Sequence, residues 1–235
     1  MSLKVIDVNV GVFDQNDRIA EEVRLRNRER GICLFNIMAS PGAGKTTILL
    51  RTIEALKKEH RVGVMEADIA ASVDAEKMLD AGAFSIQAHT GGECAMDAAM
   101  VQQALEEFDT GDADILFLEN VGNLVCPAEQ DTGADYNVEI LSLPEGDDKP
   151  LKYPLMFQVC QCVLINKIDT REWFAFDDDA VIGRIHSLNP GAEIFFVSGK
   201  TGEGFDEWIS WIRRSIHHKN LTRKPTPLQV AGGAS

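Results

Sequence analysis

One glycine-rich segment of the chain has the residue types and spacing of a phosphate-binding loop. It reads ASPGAGKTT over residues 39–47, which fits the pattern G-x-x-x-x-G-K-[ST] except that Ala39 replaces the first glycine. The glycines let backbone N–H groups turn toward phosphate oxygens, Lys45 supplies a positive charge, and Thr46 offers a hydroxyl to Mg²⁺. The alternative is an ordinary strand-to-helix turn. The predicted phosphate-binding residues are Gly42, Ala43, Gly44, Lys45, Thr46 and Thr47.

A second motif, NKID at residues 166–169, follows a buried apolar run and is typical of guanine recognition. A carboxylate at Asp169 accepts two hydrogen bonds from guanine, whereas adenine lacks this donor pair. Pairing of this kind discriminates between ligands by roughly 10⁴-fold. The segment SGK at residues 198–200 is expected to contact the base through its backbone, unless it is a plain turn. The predicted base-contacting residues are Asn166, Lys167, Asp169, Ser198, Gly199 and Lys200.

Acidic residues follow two other predicted strands. Asp68 is expected to hold Mg²⁺ directly or through water, and Asp74 is a second candidate for the same ion. Glu119 is expected to orient water or metal, and the N–H group of Gly122 is placed to sense the γ-phosphate. Each carboxylate has an alternative as a helix cap or a solvated turn. We assign Lys45, Asp68 and Glu119 to catalysis.

These motifs follow apolar runs that alternate with helical segments. Strands are predicted at 32–38, 62–66, 84–88, 115–118, 162–166 and 194–197, and helices at 13–30, 45–58, 74–79, 96–108, 180–188 and 205–217. The alternation predicts an α/β fold, a doubly wound, mostly parallel sheet flanked by helices, of the P-loop NTPase kind. Ligands bind beyond the carboxyl ends of the strands in such sheets, so we expect the motifs to meet there.

The predicted domain organisation is simple. One GTPase domain spans residues 32–219, after an N-terminal helical extension at 1–31 that is expected to be exposed and before a flexible tail at 220–235. Residues 127–157 interrupt the alternation, because they are rich in Asp, Glu, Gly and Pro around one strand-like stretch at 138–143. We interpret this region as an inserted loop and hairpin.

The net charge of the chain excludes some classes of binding partner. Its 235 residues include 23 Lys+Arg and 37 Asp+Glu, which gives a net charge of -14. This acidity argues against binding to a nucleic-acid backbone or to anionic membranes. A polyanion is expected only at a locally positive pocket such as the phosphate loop. We find neither a secretory signal nor a transmembrane stretch, and we expect a cytoplasmic protein.

The chain has five cysteines, so they cannot all pair with one another within one chain. In the cytoplasm, free thiols or metal ligands are expected rather than disulfides. Cys160 and Cys162 are expected to face one side of a strand and to pack in the core.

Further segments extend the motifs into a family resemblance. They are SPGAGKTT (40–47), EADIA (66–70), HTGGEC (89–94), GNLVCPA (122–128), EGDDKPLKYP (145–154), LINKID (164–169) and SGKTGEGFDEW (198–208). In this order, from about residue 10 to 218, they resemble the hydrogenase nickel-incorporation GTPases, the HypB family of SIMIBI-type P-loop proteins. The resemblance implies slow GTP hydrolysis, a GTP-dependent homodimer, and delivery of nickel to a [NiFe]-hydrogenase precursor.

The resemblance also implies a site for Ni²⁺ or Zn²⁺ at Cys94 and Cys126. The family has a Cys-His pair and a later Cys, but here Ala95 stands in the histidine position and cannot bind metal. Two subunits meeting about a twofold axis would supply four thiolates, a set that favours tetrahedral Zn²⁺. His89 is another candidate ligand. Alternatively the site is degenerate and the cysteines merely pack.

The sequence therefore predicts a GTP-binding and GTP-hydrolysing metallochaperone for nickel insertion into [NiFe]-hydrogenase precursors, with Mg²⁺ as cofactor. Its expected partners are a second copy of the chain and a hydrogenase maturation protein or precursor, with no nucleic acid and no membrane. The alternative is a metal-independent GTPase chaperone that remodels a metalloenzyme client, like the cobalamin-enzyme accessory GTPases.

Overall fold

A seven-stranded sheet lies at the centre of the computed structural model, which describes residues 9–67, 72–88, 90–107 and 113–222. The strands are β1 (Cys33–Ala39), β2 (Val62–Ala67), β3 (Phe84–Ala88), β4 (Ile115–Glu119), β5 (Tyr136–Ser142), β6 (Cys162–Asn166) and β7 (Glu193–Phe196). Their order is β3-β2-β4-β1-β5-β6-β7, and every pairing is parallel. The predicted doubly wound sheet is confirmed, because the chain builds one side of β1 first and the other side afterwards.

Helices cover both faces of the sheet, so the central strands are apolar on both sides. The helices are α1 (Asn9–Arg30), α2 (Lys45–Leu56), α3 (Ser72–Ala81), α4 (Ala98–Glu107), α5 (Cys126–Glu129), α6 (Lys149–Lys152), α7 (Pro154–Val159), α8 (Asp178–Leu188) and α9 (Phe205–Thr222). On one face, α2 and α9 pack Ile48, Leu49 and Trp208 against the sheet. On the other face, α4, α7 and α8 form two further buried clusters.

The N-terminal helix is less exposed than the sequence predicts. Its end at Arg30 agrees with the prediction, and Gly31 follows with a φ of 77°. One side of the helix, however, packs on α4 and buries Ala20, Val23 and Asn27. The expectation of an exposed helix is therefore wrong for this side.

The region 127–157 does not form the expected hairpin. Its strand, β5, pairs in parallel with β1 on one side and with β6 on the other. Both faces of β5 are buried, since Val138 and Ile140 belong to one core cluster and Leu141 to another. The polar residues that follow form a 3-10 helix (Leu143–Glu145) and the short helices α6 and α7, which make the crossover to β6.

The last helix is anchored to the sheet. Trp208 is fully buried, and its indole N–H donates a hydrogen bond of 2.9 Å to the hydroxyl of Thr52. The helix continues to Thr222, and the remainder of the predicted tail lies outside the described residues. The domain boundaries stay a prediction. Within the described part of the chain, no helix is both long and apolar enough to cross a membrane.

Candidate nucleotide site and cysteine pair

The phosphate loop connects β1 to α2 at the carboxyl edge of the sheet. Its two glycines have left-handed backbone conformations, with a φ of 76° at Gly42 and 107° at Gly44. A Cβ atom on Gly44 would lie 2.5 Å from Nδ2 of Asn166, so both the conformation and the space require glycine. Because α2 begins at Lys45, its N-terminal N–H groups point into the loop, where an anion is favoured.

A cavity of about 340 Å³ opens beside this loop. Its lining includes Pro41, Lys45, Thr46, Glu66, Glu119 and Gly122. The cavity therefore brings Lys45 and Thr46 of the phosphate loop next to Glu119 and Gly122. A Cβ atom on Gly122 would lie 3.2 Å from Cγ of Pro41, so the segment after β4 lies directly against the loop.

Three oxygen-bearing side chains line this cavity in positions that suit a magnesium ion. The hydroxyl of Thr46 donates a hydrogen bond of 3.1 Å to Oε1 of Glu119. Glu66 is the register partner of Glu119 across β2 and β4 and is almost fully buried. Mg²⁺ prefers hydroxyl and carboxylate oxygens, so this set fits the ion.

The two acidic residues that the sequence predicts for Mg²⁺ beside Thr46 stay predictions. Asp68 lies outside the described residues, and for Asp74 only the backbone is described, within α3. Glu66 was not predicted from the sequence, although it ends one predicted strand and Glu119 directly follows another. The pairing of these two strand ends depends on sheet order, which the sequence does not reveal.

The guanine motif is tied directly to the phosphate loop. The amide of Asn166 donates to the carbonyl of Ala43 at 2.9 Å, and its Oδ1 accepts from the N–H group of Gly199 at 3.0 Å. The ammonium group of Lys167 donates to the carbonyl of Gly42 at 2.6 Å. Two motifs that are distant in the sequence therefore form one continuous surface.

A second cavity, of about 290 Å³, opens next to the first on the side of β6. Its lining residues are Thr47, Asn166, Lys167, Asp169, Thr170, Gly199 and Lys200. The carboxylate of Asp169 accepts a hydrogen bond of 2.6 Å from the hydroxyl of Ser198. The structure thus brings the predicted base-contacting residues together around one opening.

An arginine that the sequence analysis did not single out supports the base-contacting loop. Arg51 on α2 donates through Nε to the carbonyl of Gly199 and through a terminal nitrogen to that of Lys200, both at 3.0 Å. Its guanidinium group also lies over the ring of Phe205, 5.5 Å from the centroid. No sequence motif marks Arg51, because its role depends on α2 lying beside a loop more than a hundred residues later.

The predicted metal-binding cysteines are joined to each other. Cys94 and Cys126 form a disulfide within one chain, with their Cα atoms 6.0 Å apart. The expectation that the cysteines form no disulfide is therefore wrong for this pair, and the binding of metal by the two residues stays a prediction. The reason is geometric, because the loop before α4 and the start of α5 bring the two residues to bonding distance. Asn123 donates a further hydrogen bond of 3.3 Å to Sγ of Cys126.

The surroundings of this pair offer no third protein ligand within the part of the chain that is described. Ala95 is buried beside Cys94, and His89 lies outside the described residues. Among the residues with described side chains, no group of three or more His, Cys, Asp and Glu is arranged to hold a metal ion. One chain in this region therefore provides two sulfur atoms.

The remaining cysteines are buried thiols. Cys160 and Cys162 pack in different core clusters, on opposite faces of the sheet, rather than on one side of a strand as expected. Burial raises the pKa of both thiols well above the usual range, which keeps them protonated. Cys33 is likewise buried, and burial raises its pKa.

One buried carboxyl group lies in the strand next to β1. Glu139 on β5 is fully buried, and neither of its oxygens has a hydrogen-bond partner among the described residues. Burial, and secondly the neighbouring Glu145, raise the pKa of Glu139 well above its usual range, although Lys45 and Lys149 oppose this shift. The side chain is a candidate for a carboxyl that is protonated in the folded protein.

Comparison with known proteins identifies the family. The family model described as "CobW/HypB/UreG, nucleotide-binding domain" matches residues 33–196. The hydrogenase maturation factor HypB of Escherichia coli is 41% identical over 209 residues, which cover 89% of this chain and 72% of that protein. The probable hydrogenase maturation factor HypB of Methanocaldococcus jannaschii is 35% identical over 90% of this chain and 96% of that protein. The chain belongs to the HypB family.

Solved HypB structures have the same fold as this HypB-family chain. HypB from Archaeoglobus fulgidus has a TM-score of 0.81 at 38% identity, covering 86% of this chain and 99% of that one. HypB from Helicobacter pylori, solved in complex with nickel, has a TM-score of 0.81 at 34% identity, covering 90% and 99%. The signal recognition particle receptor FtsY from Elizabethkingia anophelis, at 13% identity and a TM-score of 0.51, shares the fold alone.

Proposed function

We propose that this HypB-family protein binds and hydrolyses GTP slowly, and that its nucleotide state controls the delivery of nickel to a [NiFe]-hydrogenase precursor. The observation that carries the proposal is the direct connection between the phosphate loop and the guanine motif, through Asn166 and Ala43 and through Lys167 and Gly42. This connection makes one site of suitable chemistry for guanine at one end and phosphates at the other. The names of the HypB relatives supply the hydrogenase as the client.

The residues around the first cavity suggest how GTP would be held. Lys45 and the N-terminus of α2 attract the phosphates, and Gly122 lies close enough to the loop for its N–H group to meet a γ-phosphate. Thr46, Glu66 and Glu119 would hold Mg²⁺, which neutralises charge on the phosphate oxygens when bound. We assign Glu119 to orienting the attacking water.

The composition of the same cavity supports a low intrinsic rate. None of the described residues that line it is an arginine. An arginine that reaches the transferring phosphoryl group accelerates hydrolysis by about 10³–10⁵-fold in faster GTPases. Without this charge, catalysis would depend on positioning and on the metal ion.

For nickel, we propose the reduced pair of Cys94 and Cys126 as the docking site of the cargo. Two thiolates from one chain leave two positions of a tetrahedral site open, and a second copy related by a twofold axis would fill them. Val125, directly before Cys126, is 48% exposed and offers apolar contact area at such an axis. The nickel-bound HypB of Helicobacter pylori supports a metal role for relatives of this chain.

A metal-independent GTPase chaperone is the second candidate, and two observations favour it. Ala95 provides no donor atom at the position of the family's histidine. The two sulfur atoms are also bonded to each other, which leaves no thiolate for a metal in this form. Under this alternative the cysteine pair would brace two loops, and the client would be remodelled without transfer of a metal ion.

The nucleotide part of the proposal is tested by Lys45→Ala. We expect this variant to lose GTP binding by at least about 100-fold and to lose GTP hydrolysis, because the phosphate loop loses its point charge. Isothermal titration with GTP and a phosphate-release assay measure both effects. Lys58→Ala, an exposed lysine after the same helix, is the matched control. Wild-type GTP hydrolysis in Lys45→Ala would contradict the assignment of the site.

A further inference from the structure

A buried asparagine lies between the nucleotide cavity and the cysteine pair. Asn120 follows Glu119 at the end of β4 and is 1% exposed. Its Oδ1 accepts two hydrogen bonds, from the N–H group of Met96 at 3.1 Å and from that of Val121 at 2.9 Å. Its Nδ2 donates to Oδ1 of Asn36 at 3.0 Å. The side chain therefore joins its own segment to two others, the loop of Met96 and strand β1.

The two hydrogen bonds to the oxygen of Asn120 come from different parts of the molecule. Val121 and Gly122 follow β4, and Gly122 lies against Pro41 of the phosphate loop. Glu119, directly before Asn120, contacts Thr46 of the same loop. Met96 lies in the loop that carries Cys94, only two positions after it. The carboxamide oxygen of Asn120 is thus shared between the segment that faces the γ-phosphate position and the loop that holds one of the paired sulfurs.

The third contact fixes the side chain to the core. Asn36 is buried on β1, and its own amide donates to Oδ1 of Asn137 on β5 at 3.0 Å. A buried polar group that loses its partner costs about 1–3 kcal/mol. Because the amide nitrogen of Asn120 is committed to Asn36, its oxygen must face the two N–H groups. A flipped amide would place a donor against both of them.

We infer that Asn120 is a positioning residue that transmits the nucleotide state to the loop of Cys94. A γ-phosphate that draws in the N–H group of Gly122 shifts Val121, and the oxygen shared with Met96 moves the Cys94 loop with it. The inference rests on the proposed function for the placement of the γ-phosphate. It adds a named route by which the nucleotide reaches the cysteine pair, and this route does not pass through the metal.

The test measures the reactivity of Cys94 in two nucleotide states. The protein is reduced with a phosphine and treated with iodoacetamide at saturating GDP or at a saturating non-hydrolysable GTP analogue, and modification of each cysteine is followed by mass spectrometry. In the wild type we expect the alkylation rate of Cys94 to differ between the two states by at least about 5-fold, the lower range of coupling between sites. In Asn120→Ala we expect this ratio to fall to about 1.

Two further variants keep the test decisive. If Asn120→Ala folds poorly, Asn120→Ser takes its place in the test. Its side chain is polar but too short to reach Met96, so we expect the ratio of the two alkylation rates to fall in the same way. Asn189→Ala is the matched control, because Asn189 also joins two segments, donating to the carbonyl of Cys160 at 2.8 Å and accepting from Gly191 at 3.1 Å, and it contacts neither loop of the pair. A merely structural role would change both alkylation rates alike and leave their ratio intact.

The outcomes separate the inference from the proposed function. A wild-type ratio near 1, or a wild-type ratio preserved in the Asn120 variants, would overturn the inference while nucleotide binding remains intact. Failure of the wild-type protein to bind either nucleotide would instead overturn the proposed function.

Discussion

Under the proposed function, base selectivity would depend on the carboxylate of Asp169. Its Oδ1 accepts the hydroxyl of Ser198 at 2.6 Å, and that hydroxyl in turn accepts from the N–H group of Thr201 at 3.0 Å. These two bonds fix the orientation of the carboxylate at the second cavity. A rigid acceptor pair of this kind rewards a ligand with two adjacent donors and penalises one that lacks them.

At this residue we predict that Asp169→Asn weakens GTP binding by roughly 30–100-fold, which corresponds to about 2–3 kcal/mol for a lost charged hydrogen bond and an unpaired donor. The same change is expected to improve binding of xanthosine triphosphate, whose base offers an acceptor where guanine has a donor. Competition between the two nucleotides for a fluorescent analogue measures the switch. Asp178→Asn, which alters an exposed partner of Arg171, is the control, and an unchanged preference for GTP in Asp169→Asn would refute the base assignment.

Candidate site residues could be predicted from the sequence where they are neighbours in the chain. The phosphate loop and the guanine motif each consist of consecutive residues, so their residue types and spacing are visible in the chain. Glu66, Arg51 and Asn120 were missed because each acts on a residue that is distant in sequence. The disulfide of Cys94 and Cys126 was not foreseen either, since it depends on how two loops approach each other.

At the scale of elements, β5 shows how composition can obscure a strand. Its sequence YNVEILS includes the fully buried Glu139, and polar residues surround it on both sides, so the pattern favours a hairpin in an insertion. The strand nevertheless lies between β1 and β6, where five positions pair on either side. A buried acid in a central strand is tolerated when it is protonated, and single-sequence patterns do not reveal that state.

This strand leads to a prediction about pH. Because the pKa of Glu139 is raised in the folded state, its contribution to stability is fully present below the unfolded pKa of about 4.3 and is lost as the pH rises toward the folded pKa. Glu139→Gln keeps the group neutral at every pH. We therefore expect Glu139→Gln to be more stable than the wild type at pH 7, because only the wild type loses stability as the pH rises above the unfolded pKa.

Urea unfolding of both proteins between pH 5.5 and 8 measures this effect. The gap in the free energy of unfolding is expected to widen with pH and then to level off above the folded pKa. Glu172→Gln, which changes an exposed acid, should unfold in parallel with the wild type across the range. Identical pH dependence in Glu139→Gln and the wild type would show that Glu139 is ionised in the folded protein.

At the scale of the whole molecule, the cysteine pair separates the two candidate functions. One chain supplies two sulfurs at this position, and no third ligand joins them within the described residues. Under the proposed function, a second copy of the chain would complete a tetrahedral site. The stoichiometry of metal per dimer is the quantity that distinguishes a metallochaperone from a metal-independent one.

We predict that the reduced protein with a bound GTP analogue forms a dimer that binds one Ni²⁺ or Zn²⁺ through four thiolates. Light scattering gives the oligomeric state, and metal titration gives the stoichiometry and affinity. The double variant Cys94→Ala, Cys126→Ala should bind no metal at this site, while the variant Cys33→Ala, which removes a buried thiol elsewhere, should behave as the wild type. Equal metal binding by the double variant and the wild type would favour the metal-independent alternative.

The hydrogen bonds from Asn166 and Lys167 to the phosphate loop have a consequence for the lifetime of the protein. They join the first strand of the sheet to β6, and the proposed nucleotide would lie across the same junction. A ligand that binds both halves of the chain raises the free energy of unfolding, by about 2.7 kcal/mol at a ligand concentration of 100 Kd. Under the proposed function, a copy without bound nucleotide would then unfold most readily, so the supply of guanine nucleotide would also influence how long each copy stays folded.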